Sequence, residues 1–189
     1  MDARIVDLTR GAADLIDQAA ALLHDAFYRR SESWQDVDSA REEVIESLAA
    51  ERISRVAVSD SGEVVGWIGC IPAYRGRVWE VHPLVVAKAH RRQGIGTALV
   101  HDLERVVAAR GGLTLWLGSD DENGETSLGD VDLYGHVPAA IRGFTTIRGD
   151  HPGEFYLRLG FRIVGVLPDA NGRGKPDIFF AKAVGTAKD

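Results

Sequence analysis

The chain reads as an α/β (α+β) domain, with about four helices flanking a mixed central sheet of six to seven strands. Three observations point there. Helical and strand periodicities alternate along the chain. One apolar run, residues 78–86, passes through a basic, Gly-containing turn straight into an amphipathic pattern at 96–110. The next apolar run, 113–118, then follows as a strand that a right-handed crossover would set parallel to the first. The 189 residues suit one compact domain, 1–189, with a sizeable core.

The elements follow in order. Residues 4–8 alternate and read as a first strand. Residues 12–27 place Leu15, Ala19, Leu22, Leu23 and Ala26 at helical spacing. A polar link over 28–38 carries Trp34, and 39–50 is a second helix with Val44, Ile45 and Leu48 on one face. Two strands, 53–59 and 63–71, flank Asp60-Ser61-Gly62 as a hairpin and lead to the strand at 78. Beyond 118, the segment 119–150 is acidic, Gly-rich and aperiodic, as functional or disordered connections are. Residues 151–161 form a short helix ended by Gly160, and 162–167 and 177–183 are strands around a loop at 168–176.

Composition narrows the function. Hydrophobic residues are 45% and charged residues 26%, a soluble globular balance. No apolar run is long enough to cross a bilayer and the N-terminus lacks a signal-peptide pattern, so a cytoplasmic protein is expected. The lone Cys70 excludes an internal disulfide and reads as core. His82, His90, His101, His136 and His151 lack ligand spacing, so no metal is expected. A net charge of −6 argues against nucleic acid and suits a cationic small molecule.

The turn at 91–96 is an anion cradle by its chemistry. The first amides of a helix have no internal partner, and the macrodipole puts partial positive charge there. Gly94 and Gly96 let an anion approach the backbone, and Arg91 and Arg92 add charge. The pattern is neither a Walker loop nor a dinucleotide fingerprint. Within the preceding strand, Glu80 and His82 are two residues apart and so share a face. Polar side chains are costly to bury unsatisfied in such a strand, which favours a functional role over a core one.

Arg91-Arg92-Gln93-Gly94-Ile95-Gly96 matches [QR]-x-x-G-x-[GA], and Phe155-Tyr156-Leu157-Arg158-Leu159-Gly160-Phe161 matches a second short pattern. Together they resemble the GNAT N-acetyltransferase superfamily over nearly the whole chain. The segments Trp79 to Val86, Gly118 to Asp121, Asp132 to Tyr134 and Pro168 to Ile178 are similar to aminoglycoside 6′-N-acetyltransferases. The resemblance implies the GNAT fold and transfer of acetyl from acetyl-CoA to an aminoglycoside amine, without a metal.

It implies that Arg91, Arg92, Gln93, Gly94, Ile95, Gly96 and Thr97 hold the cosubstrate, with Val85 and Val86 offering backbone groups to its arm. Glu80 and His82, directly or through a water, would take the ammonium proton, and Tyr156 would protonate the departing thiolate. Trp34, Glu80, Asp120, Asp121 and Asp177 are the candidate acceptor contacts, with Asp169 and Glu122 behind them. A homodimer is expected. The alternatives are another small amine or a peptide amine as acceptor, or a non-catalytic acyl-CoA-binding module.

Overall fold

The computed structural model describes residues 3–28, 33–147 and 151–185, so part of the link expected over 28–38 lies outside it. It holds seven strands and five α-helices among those residues. They fall into two compact units: the chain up to Leu113 together with Val184, and Thr114–Ala183.

The first unit carries four strands in antiparallel order: β1 (Arg4–Asp7), β2 (Ile53–Val58), β3 (Val64–Ala73) and β4 (Val78–Val86). Helices α1 (Ala13–Phe27), α2 (Val37–Glu46) and α3 (Ile95–Ala109) complete it. Every residue of β2 is buried, so both of its faces are covered and the alternation of a half-exposed strand is lost. Leu23 and Trp67 are wholly enclosed in the core with Val44 and Val56. Truncation to Ala would cost about 2–5 kcal/mol at Leu23 and about 3–5 kcal/mol at Trp67.

Helix α2 begins at Val37, two residues before the expected start, because the Asp36 carboxylate accepts the Ser39 amide at 2.7 Å as its N-cap. It ends at Glu46 rather than 50, and the Ser47 hydroxyl there donates to the Val44 carbonyl at 2.6 Å and reaches Ser54 at 2.9 Å. Ser54 also accepts the Trp67 indole N–H at 2.9 Å, so one polar chain ties α2, β2 and β3. Across this unit Arg55, only 9% exposed, donates to Asp102 of α3 at 2.6 Å and to Asp7 of β1. Paired charges this buried contribute little net stability, but losing Asp102, whose side chain is 11% exposed, would cost about 3–5 kcal/mol, whereas the exposed Asp7 matters little. Cys70 is buried, and burial pushes its thiol pKa far up, so it is core as expected.

The second unit carries β5 (Thr114–Asp120), β7 (Asp177–Ala183) and β6 (Arg162–Leu167), antiparallel in that order, with the short helices α4 (Val137–Arg142) and α5 (Gly153–Arg158). The segment after β5 is more ordered than its aperiodic sequence suggests. Asp121 is fully buried and its carboxylate accepts the Glu125 amide at 2.6 Å, the Thr126 amide at 3.0 Å and the Thr126 hydroxyl at 2.7 Å. A bridge between Thr126 and Thr146 then closes the segment on itself. No described helix is long and apolar enough to cross a membrane.

Candidate active site

In the first unit, β4 alternates strictly between half-buried and buried positions. Glu80, His82, Leu84 and Val86 take the half-buried face, while Trp79, Val81, Pro83 and Val85 point inward. The shared face expected for Glu80 and His82 is therefore present. The register against β3 slips by one residue there: Ile68 faces Leu84 but Cys70 faces Val81. His82 and Pro83, joined by a cis peptide, thus stand opposite Gly69 alone. A Cβ on Gly69 would lie 2.3 Å from the His82 carbonyl oxygen, so only glycine admits the bulge.

His82 has neighbours the sequence does not announce. Its Nε2 is 3.9 Å from the Glu43 carboxylate of α2, and its ring centroid is 5.7 Å from that of Trp34. Trp34, in a left-handed conformation with φ 55°, also packs edge-on against Phe27, at 4.8 Å. Of the expected acceptor contacts, Trp34 therefore stands beside His82. Glu43 was missed because a Glu on a helix face reads as a solvated charge. At 3.9 Å with His82 39% exposed, that pair is worth no more than about 1 kcal/mol.

The strand then feeds the cradle. Ala87 donates to the Val65 carbonyl at 2.9 Å, and a 3₁₀ turn, Lys88–His90, follows. The Arg91 guanidinium donates back to the Val86 carbonyl at 3.2 Å, and the Gln93 amide to the Ala89 carbonyl at 3.1 Å, so the loop braces itself. Gly94, with φ 87°, is the N-cap of α3, and it supplies no capping side chain. The first turn of α3, at Ile95, Gly96 and Thr97, holds no acidic residue. Its amides and the helix dipole are left for an anion, with Arg91 and Arg92 exposed beside them. Ile95 itself is buried and anchors the helix start.

In the second unit, Tyr156 lies on α5 at 6% exposure, its ring 5.1 Å from Phe155, 5.5 Å from Phe161 and 5.9 Å from Phe180. Burial pushes its phenol well above the ordinary value of 10, so it holds its proton until a strong base arrives. Asp120 is exposed at the end of β5, accepts the Asn171 amide and faces Asp177 in the register with β7. Two carboxylates opposite one another repel unless a cation joins them. Asp121 departs from its expected role: its oxygens are committed to the loop, so it organises the segment instead of meeting an acceptor. Asp169 likewise accepts the Gly174 amide at 2.7 Å and the Tyr134 hydroxyl at 3.3 Å, shaping its own loop.

A family model described as the acetyltransferase (GNAT) family matches residues 16–128. The chain is 44% identical to an aminoglycoside 6′-N-acetyltransferase solved in complex with coenzyme A, covering 98% of this chain and 99% of that one, at a TM-score of 0.91. An aminoglycoside 6′-N-acetyltransferase from Enterococcus faecium is also 44% identical over 98% and 99%, at 0.90. An aminoglycoside 6′-acetyltransferase of type Ii is 41% identical over 95% and 96%, at 0.73. The ribosomal-protein-S18-alanine N-acetyltransferase from Escherichia coli, 17% identical, shares the fold alone. No curated protein sequence matches the chain.

Proposed function

The chain belongs to the acetyltransferase (GNAT) family, and on that premise we propose that it transfers acetyl from acetyl-CoA to the 6′-amine of aminoglycosides. The observation that carries this reading is 44% identity, end to end, with aminoglycoside 6′-N-acetyltransferases, one of them complexed with coenzyme A. The residues fit the chemistry. The uncapped start of α3, with Arg91, Arg92, Gln93, Gly94, Ile95, Gly96 and Thr97, binds the pyrophosphate, and Val85 and Val86 direct backbone groups along the acyl arm.

An aminoglycoside amine arrives as an ammonium and must lose a proton before it attacks. Glu80 and His82, side by side on β4, take that proton, directly or through a water. The amine nitrogen then bonds to the thioester carbon, and a backbone N–H near Val85 stabilises the oxygen as charge builds on it. The carbon–sulfur bond breaks, the thiolate takes the Tyr156 phenol proton, and the attacking nitrogen sheds its second proton, which returns through water to the phenolate. Burial makes that phenol a poor acid in the resting protein, but a thiolate formed out of water is a correspondingly stronger base. Asp120, Asp177 and Glu80 meet the acceptor's ammonium groups, with Trp34 as an apolar wall. The chain works as one domain and as a homodimer.

The deciding experiment is acetyl-CoA turnover over a panel of aminoglycosides, polyamines and peptides, with the acetylated nitrogen located by NMR. Acetylation at the 6′-amine, with the highest kcat/KM on aminoglycosides, is expected. A clear preference for a polyamine or peptide, or acetyl on another nitrogen, overturns the assignment.

A further inference from the structure

His151 is a buried histidine that the transfer scheme leaves unused. It is 6% exposed, with the Phe144 ring at 6.2 Å. Its two ring nitrogens are both engaged. Nδ1 accepts the Gly153 amide at 3.0 Å, and Nε2 lies 3.3 Å from the Ser119 hydroxyl. Accepting at Nδ1 requires that nitrogen to be bare, so the neutral ring carries its proton on Nε2 and donates it to Ser119. The fit is close: a Cβ on Gly153 would meet the Phe144 ring at 2.7 Å and Nδ1 at 3.0 Å.

The two partners belong to different elements. Ser119 sits near the end of β5, directly before Asp120, and Gly153 opens α5, one turn ahead of Tyr156. A helix of six residues cannot hold itself in water. Pro152, at its N-cap, supplies no side-chain bond. The contacts described for Tyr156 are rings, which fix the depth of a phenol better than its direction.

We propose that His151 is a positioning residue that bolts the start of α5 to the end of β5 and so sets the direction of the Tyr156 hydroxyl. The proposal rests on the acetyltransferase reading, which gives that hydroxyl its work. Burial holds the ring's pKa below its ordinary 6.5, against the opposing pull of Asp121, Glu125 and Asp120, and so keeps the neutral form that the Gly153 contact needs.

The test uses the full chain and four variants: His151→Phe, His151→Asn, Tyr156→Phe and the double variant with His151→Phe. Hydrogen exchange at the Gly153 and Tyr156 amides, read without substrate, should quicken about tenfold in His151→Phe. His151→Asn should keep most of the protection, because its side-chain oxygen can accept the amide two residues on. In turnover, His151→Phe should lower kcat about tenfold with the acetyl-CoA KM within about twofold, and the same change in Tyr156→Phe should cost less than about twofold. Unchanged exchange overturns the proposal. So does an equal loss of kcat with and without the Tyr156 hydroxyl, which would make His151 a packing residue only. A wild type that acetylates no amine overturns the functional reading instead, and the exchange measurement still decides whether the bolt exists.

Discussion

At Gly69 a single hydrogen is all that fits, because the bulged His82 carbonyl oxygen would stand 2.3 Å from a Cβ. The obstacle is backbone, which cannot rotate aside. Gly69→Ala should therefore destabilise the protein by about 2 kcal/mol or more, read as a lower urea midpoint at unchanged m-value. It should also lower kcat, because the bulge aims His82. A variant as stable as wild type would mean that the strand can slip back into regular register. At Asp120 the expectation is electrostatic. Asp120→Asn keeps an acceptor for Asn171 but removes the charge facing Asp177. The KM for a tetracationic aminoglycoside should rise about threefold to tenfold, and the loss should shrink as salt is added. A monocationic amine should feel it less, and equal effects on both would remove Asp120 from acceptor binding.

Among the elements, the run from β4 through the cradle into α3 was the most legible. Its two periodicities are strong and the Gly94 turn between them has few alternatives. Replacing Gly96 by Val should crowd the first turn of α3 and weaken acetyl-CoA binding more than about tenfold by calorimetry, with the fold intact by circular dichroism. Affinity equal to wild type would show that the pyrophosphate lies elsewhere. Short elements were not legible. Helix α4 has six residues, less than two turns, so its apolar positions never repeat. The order of the segment after β5 depends on Asp121, whose bonds run to residues four and five further on. Nothing in the sequence distinguishes that buried carboxylate from its exposed neighbour Asp120. Glu43 and His151 were missed for a related reason: each gains its meaning from a partner far along the chain.

For the molecule as a whole, acid sensitivity follows from the buried histidine. The folded state holds His151 neutral with a lowered pKa, while the unfolded chain takes up the proton at the ordinary value near 6.5. Its contribution to stability is therefore complete above that value and is lost as pH falls below it toward the lowered folded pKa. The urea midpoint of the wild type should drop between about pH 7 and pH 5, and His151→Asn, which has no proton to gain, should drop less. Parallel midpoints for the two proteins would show that other groups carry the acid response.

The chain leaves the first unit at Leu113 and re-enters it at Val184, where the Val184 amide donates to the Leu113 carbonyl at 2.9 Å. Exit and entry are thus stitched together, and everything between them is a loop in the topological sense. During synthesis the buried Val184 leaves the ribosome only after the whole second unit has been made. The first unit therefore closes its last seam late. A charge placed at the buried Val184 would loosen that seam, although the position lies far along the sequence from the β4 face and the cradle.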